Sequence, residues 1–182
     1  MLTFVSWLLK TALAALLLLI ATVLIGRERF WLVVVGQPDL GVYDFAQANR
    51  SPTPNDALAC SGELCVEVRD IALLTARQAP EAVFGLIETS IAATSPRFRR
   101  ADDRADPFYR RYITFLPRLG FPDTTDIRLE PIKGRQGEYD ILAYARAQIG
   151  RADFGANHAR LLNWLAPWVD GASEKGKAPA DQ

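Results

Sequence analysis

The sequence predicts an α+β protein: an N-terminal transmembrane helix, then a small antiparallel sheet with helices packed on one face. Three observations carry this. The first is a charge-free, leucine-rich run near the amino terminus, Thr11 to Gly26. The second is the order of hydrophobic periods after it, helical over Ala79–Thr94, strand-like over 108–149 and helical again over Phe154–Val169. The third is "KGRQGE" between two strand patterns, where Gly134 and Gly137 supply the backbone freedom of a hairpin turn.

The chain has 182 residues, 49% of them apolar, with a large share of these in the first 35 positions. One domain plus appendages follows: an anchor over 1–29, an extended linker over 30–54, a globular domain over 55–170 and a disordered tail over 171–182. The 21 basic and 21 acidic residues cancel, so no global field points to nucleic acid.

Thr11–Gly26 holds six leucines, two isoleucines and one valine. As a helix it spans only about 24 Å, but a start at Phe4 gives about 33 Å, enough to cross a bilayer. Lys10 then lies inside the span, and its long side chain can reach back to the headgroups. Trp7, Phe30 and Trp31 suit the interfaces. A cleaved signal peptide is the rival, but "VLIGRER" offers no small-x-small cleavage site. The balance therefore favours a retained anchor, with the bilayer as first partner. Lys10 on one side and Arg27 and Arg29 on the other leave the orientation close to even, leaning cytoplasmic by charge alone.

"FWLVVVG", Phe30–Gly36, reads either as a strand or as continued membrane contact. "QPDLGVYDFAQANRSPTPND" then reads as an extended segment entering the domain. Cys60 and Cys65 stand in "CSGELC", too widely spaced for a redox pair. They make a short-loop disulfide if the domain is exported, or two buried thiols if it is not. "VEVRDIALL" is a candidate strand. In "APEAVFGLIETSIAAT", Pro80 and Glu81 suit a first helical turn, and Val83, Leu86, Ile87 and Ile91 form the apolar face. Strands are expected over Phe108–Leu116, Asp126–Ile132 and Glu138–Ile149, and a last helix over Phe154–Val169.

Two stretches are candidate contact surfaces. "GRADFGANHAR", Gly150–Arg160, concentrates Asp153, Asn157, His158 and Arg160. Its bland reading is a strand-to-helix corner capped by Asp153; its functional reading is convergence of Asp153, Asn157 and Arg160 on a ligand or partner. "PRFRRADDRADPFYRR" has six Arg against three Asp, including Arg97, Arg99 and Arg100. It could meet lipid phosphates or an acidic partner, or pair with itself in solvent. No catalytic residue is singled out. His158 is the single His, with no Ser or Cys beside it, and GxSxG, HExxH, a Walker loop and GxGxxG are absent. Two Cys and one distant His are too few for a structural metal, and no cofactor is expected.

Pro54, Asn55 and Cys60, followed by Gly150, Asp153, Gly155, Asn157 and Arg160, resemble the motifs of an uncharacterised bacterial and plastid family, domain of unknown function 1499. The likeness covers about Leu40–Trp168. The family's Arg-Ser-x-Ser-Arg stretch is replaced here by "YARAQ", with Arg146 in a shifted place. The resemblance implies no settled activity. It does imply an exported or membrane-tethered domain, which tips the orientation toward a periplasmic head on the bacterial inner membrane. The expectation is a non-enzymatic, anchored protein that binds another membrane protein or complex, as an accessory subunit. An enzyme using Asp153 and His158, or a lipid or small-molecule binding module, are the alternatives.

Overall fold

The computed structural model describes residues 2–47, 49–62, 65, 67–116 and 120–171. All of the tail expected to be disordered except Gly171 lies outside them. The chain is α+β, with a six-stranded sheet in the order β2-β1-β6-β5-β4-β3.

Helix α1, Leu2–Ile25, is 24 residues long, about 36 Å at the usual rise. Its Phe4–Thr22 segment is long and apolar enough to cross a membrane or to serve as a signal sequence, and none of it is buried against the domain. Leu9, Leu13 and Leu16 to Leu19 are all exposed. Gly26, at φ +86°, breaks the helix, and α2, Arg27–Val35, follows it. Phe30–Val35 is therefore helical, not the strand the β-branched residues suggested, and not part of an extended linker. The physical reason lies in packing: Trp31 meets Phe121 edge-on at 4.6 Å between ring centroids, and Glu28 meets Arg97 at 3.0 Å.

β1, Asp56–Cys60, runs parallel to the short β2, Ile71–Ala72, and antiparallel to β6. The sheet is thus mixed at one edge, whereas an antiparallel sheet was expected. β1 is a strand that the sequence patterns do not single out, and the described strand within "VEVRDIALL" is β2. β3, Arg99–Arg100, pairs with β4, Tyr109–Phe115. β4, β5 (Pro122–Pro131) and β6 (Tyr139–Ala147) form an antiparallel meander. The strand patterns recognised in sequence correspond to these three, with β5 starting four residues earlier than expected.

Two helices cover one face. α3, Pro80–Thr94, buries Val83, Phe84, Ile87 and Ile91. The stripe is tilted from the expected one, since Leu86 is 46% exposed and Phe84 takes the inner place. α4, Ala156–Trp164, stops short of the expected helix, and a 3-10 turn follows over Ala166–Trp168. Pro167 accounts for the change, because its ring cannot continue an α-helix. Beneath these helices Ala57, Ala59, Ile127, Leu129, Ile141 and Ala143 of the sheet meet Trp164 of α4 in the main core. Alternation along each strand puts these sheet positions on one face.

The opposite face carries a second cluster of Tyr43, Phe45, Leu58, Cys60, Cys65, Leu142 and Tyr144. It is covered by the segment 37–47, which lies across the sheet as a strap. This segment belongs to the domain rather than to a spacer: Tyr43 and Phe45 are each only 6% exposed. Cys60 and Cys65 lie at disulfide distance in this cluster, their Cα atoms 6.4 Å apart.

Candidate functional site

The residues singled out in "GRADFGANHAR" do converge, but on the protein itself. β6 ends at Ala147, and the chain turns through Gly150, at φ +100°, and Gly155, at φ +80°, before α4. L side chains rarely take such angles, and glycine takes them freely. Asp153 accepts from the N–H groups of Gly155 (3.0 Å) and Asn157 (2.8 Å), so it satisfies free donors at the start of α4. Asn157, fully buried, donates to the carbonyl of Asn55 at 2.9 Å. The Asn55 side chain donates to the carbonyl of Gly150 at 2.9 Å and accepts from Ser51 Oγ at 2.7 Å. The Asp153 N–H donates to Pro54. The Pro54–Asn55 stretch and the Gly150–Arg160 stretch are therefore one hydrogen-bonded corner.

Arg160 completes it. Its guanidinium donates to Asn157 Oδ1 and pairs with Asp123 of β5. Both partners are enclosed, with side-chain exposures of 8% for Arg160 and 2% for Asp123. Such a pair is strongly destabilised if one member is removed, because the other charge stays buried. Asn157 and Arg160 thus hold the domain together, and Asn157 has no surface to offer a partner. His158 has no hydrogen-bonding partner among the described residues, and Asp153 is occupied in capping; the two do not form an acid–base pair. Among the described residues no group of three or more His, Cys, Asp or Glu is arranged to hold a metal.

The Arg-rich stretch resolves into separate pairs. Arg97 meets Glu28 of α2. Arg100 binds Asp102 in a two-pronged contact at 2.7–3.0 Å. Arg110 meets Glu88 at 2.6 Å while lying over the Phe84 ring, and Arg111 meets Asp39 at 2.8 Å. Arg99 is exposed and has no ion pair among the described residues.

A polar centre that sequence reasoning missed lies under the strap. Asp126, fully buried on β5, accepts from the Tyr109 hydroxyl and from the Tyr43 N–H. Arg146 approaches its other oxygen at 3.5 Å. Arg111 donates to Tyr109 Oη at 3.1 Å and to Asp39 at 2.9 Å, and Arg146 donates to the carbonyl of Gly41 at 2.6 Å. Burial holds the Asp126 carboxyl above the usual carboxylate range, against the pull of Tyr109 and Arg146. Burial also pushes the Tyr43 phenol up to about 12. The signal was present as alternation: Tyr109 with Arg111, and Tyr144 with Arg146, share one face of their strands. Read alone, that face looks solvated; the strap buries it.

Nearby, Asp56 accepts from Arg50 at 2.9 Å and from Tyr144 at 2.6 Å. Burial pulls its carboxyl upward, but Arg50, Tyr144 and the Ser51 N–H outweigh this and hold it below the usual range. An open groove beside the strap is lined by Val42, Asp102, Asp106, Tyr109, Arg111 and Arg128. Its mixed charges are matched internally, and no nucleophile–base pair points into it. These bonds fasten the strap and the corner to the sheet. No family model matches the chain, and no curated protein matches it either.

Proposed function

We propose that this is a non-enzymatic, single-pass protein of the bacterial inner membrane, with its domain on the periplasmic side, acting as an accessory subunit that binds another membrane protein. One observation carries the reading: the Phe4–Thr22 stretch of α1 buries none of its residues against the domain, while α2 directly after it is pinned to the domain through Trp31–Phe121 and Arg97–Glu28. A helix apolar on all sides needs lipid or another helix around it. The pinning keeps the domain beside the bilayer instead of on a loose tether. The close Cys60–Cys65 pair supports an oxidising compartment, as does the likeness to domain of unknown function 1499.

The contact surface of this reading moves away from Asn157 and Arg160, whose bonds are internal. It falls on α1, where Ala12, Ala15 and Ala21 allow close helix approach, and on exposed Arg99. The test is purification of the full chain from native membranes in mild detergent. A discrete membrane protein should accompany it, and should be lost on Ala12→Ile with Ala15→Ile while the domain stays folded. A chain recovered alone, one released by salt, or a mature chain starting after Ile25 would overturn the proposal.

A further inference from the structure

Phe154 is 98% exposed, and its backbone is left-handed, at φ +52°. Scattered exposed apolar side chains are ordinary; a fully exposed phenylalanine held in a conformation that costs an L residue energy is not. Arg151 and Ala152, just before it, are exposed too.

The strand registers show which end of the domain this loop occupies. Ala147, at the end of β6, lies opposite Asp123 at the start of β5, and Pro122 lies opposite Phe115 at the end of β4. At that same end Phe121 packs on Trp31 of α2, Gln148 donates to the carbonyl of Gln37 at 2.8 Å, and Asn55 holds Gly150. The Arg151–Gly155 loop therefore stands at the same end of the sheet as the contact of α2 with Phe121. On α2 itself Val33 is 79% exposed and Val34 is 55% exposed. The end of the domain nearest the anchor therefore presents exposed apolar side chains on α2 and in this loop, with exposed Arg151 in the same loop.

We propose that the loop Arg151–Gly155 is a second membrane contact, in which Phe154 enters the boundary between headgroups and acyl chains and Arg151 meets the phosphates of anionic lipid. This rests on the anchor reading above. Aromatic rings favour that boundary, and a cation close to an anionic surface adds to the attraction. With α1 as one attachment and this loop as another, the domain is oriented on the bilayer and does not merely hang from it.

The experiment uses the full chain in vesicles of phosphatidylcholine and phosphatidylglycerol, with a spin label at Phe154→Cys. A label at Gln136→Cys, on the hairpin at the other end of the sheet, is the control. Oxygen partitions into the bilayer and a water-soluble nickel chelate does not. The 154 label should relax several-fold more with oxygen than with the chelate, and the 136 label should not. Adding Arg151→Glu should reduce the oxygen preference at 154. Flotation of the same vesicles reports the anchor separately. A floating chain whose 154 label is as chelate-accessible as the 136 label overturns the inference and leaves the anchor standing; a chain that does not float removes both.

Discussion

The two faces of the sheet are covered by different means. On one, α3 and α4 bury an almost wholly apolar surface, with Trp164, Phe84 and Ile87 fully enclosed. On the other, the strap 37–47 contributes two large apolar anchors, Tyr43 and Phe45. It is otherwise fastened by Asp126, Arg111, Arg146 and Thr124. A helix satisfies its own backbone and can bury a stripe of side chains. An extended segment must find partners for its N–H and C=O groups elsewhere. The sheet supplies them as buried charges and hydroxyls, so the hold on the strap depends on pH and salt. Both faces meet at the corner of Asn55, Asn157 and Arg160, which ties α4 to β1 and β5.

The corner is the place to break that comparison most severely. Arg160→Ala leaves Asp123 buried without its cation, and we expect a loss of about 3–5 kcal/mol in urea unfolding. A loss within the range of a surface substitution would show that Asp123 is reached by water. A failed partner capture by this variant would therefore report unfolding, not a lost contact.

Reducing the Cys60–Cys65 pair, or replacing both by Ser, acts on the strap face. The short loop predicts about 2 kcal/mol of destabilisation under the chain-entropy account. Equal urea midpoints with and without reductant would sink it.

The Asp126 carboxyl sharpens the comparison through pH. Its folded value is raised, so its charged form carries a penalty that is full above that value and vanishes below about 3.9, the unfolded value. Stability should therefore fall as pH rises from about 4 through the raised value, and Asp126→Asn should flatten that slope. Asp56 acts in the opposite sense: its contribution stands above the unfolded value and is lost as pH falls through its depressed folded value. Urea midpoints across pH test both; an unchanged slope in Asp126→Asn would remove buried Asp126 as its source.

The smallest effect belongs to neither face. Phe154→Gly relieves a left-handed backbone but frees the unfolded chain, for a net gain of about 0.5 kcal/mol. A net loss would mean that the ring packs on the domain.

Legibility in the sequence followed physical locality. The apolar run, the α3 pattern, the three meander strands and the hairpin were readable because each is set by nearby residues. Asp153 was recognisable as a cap for the same reason. Phe30–Val35 misled, since β-branched residues suit a strand while the contact of Trp31 with Phe121, and of Glu28 just before it with Arg97, favours a helix. β1 was hidden by the prolines and turn formers before it.

By itself, the sequence determined an anchor-length apolar helix, an α+β domain and a glycine-relaxed corner before α4, because period, turn chemistry and composition act over a few residues. Tertiary structure alone decided that Asn157 and Arg160 face inward, that the segment after α2 becomes a strap, and that Asp126 is buried beneath it. Those outcomes depend on which surfaces lie against each other across dozens of residues, and burial is a property of the assembled layers, not of any stretch of chain.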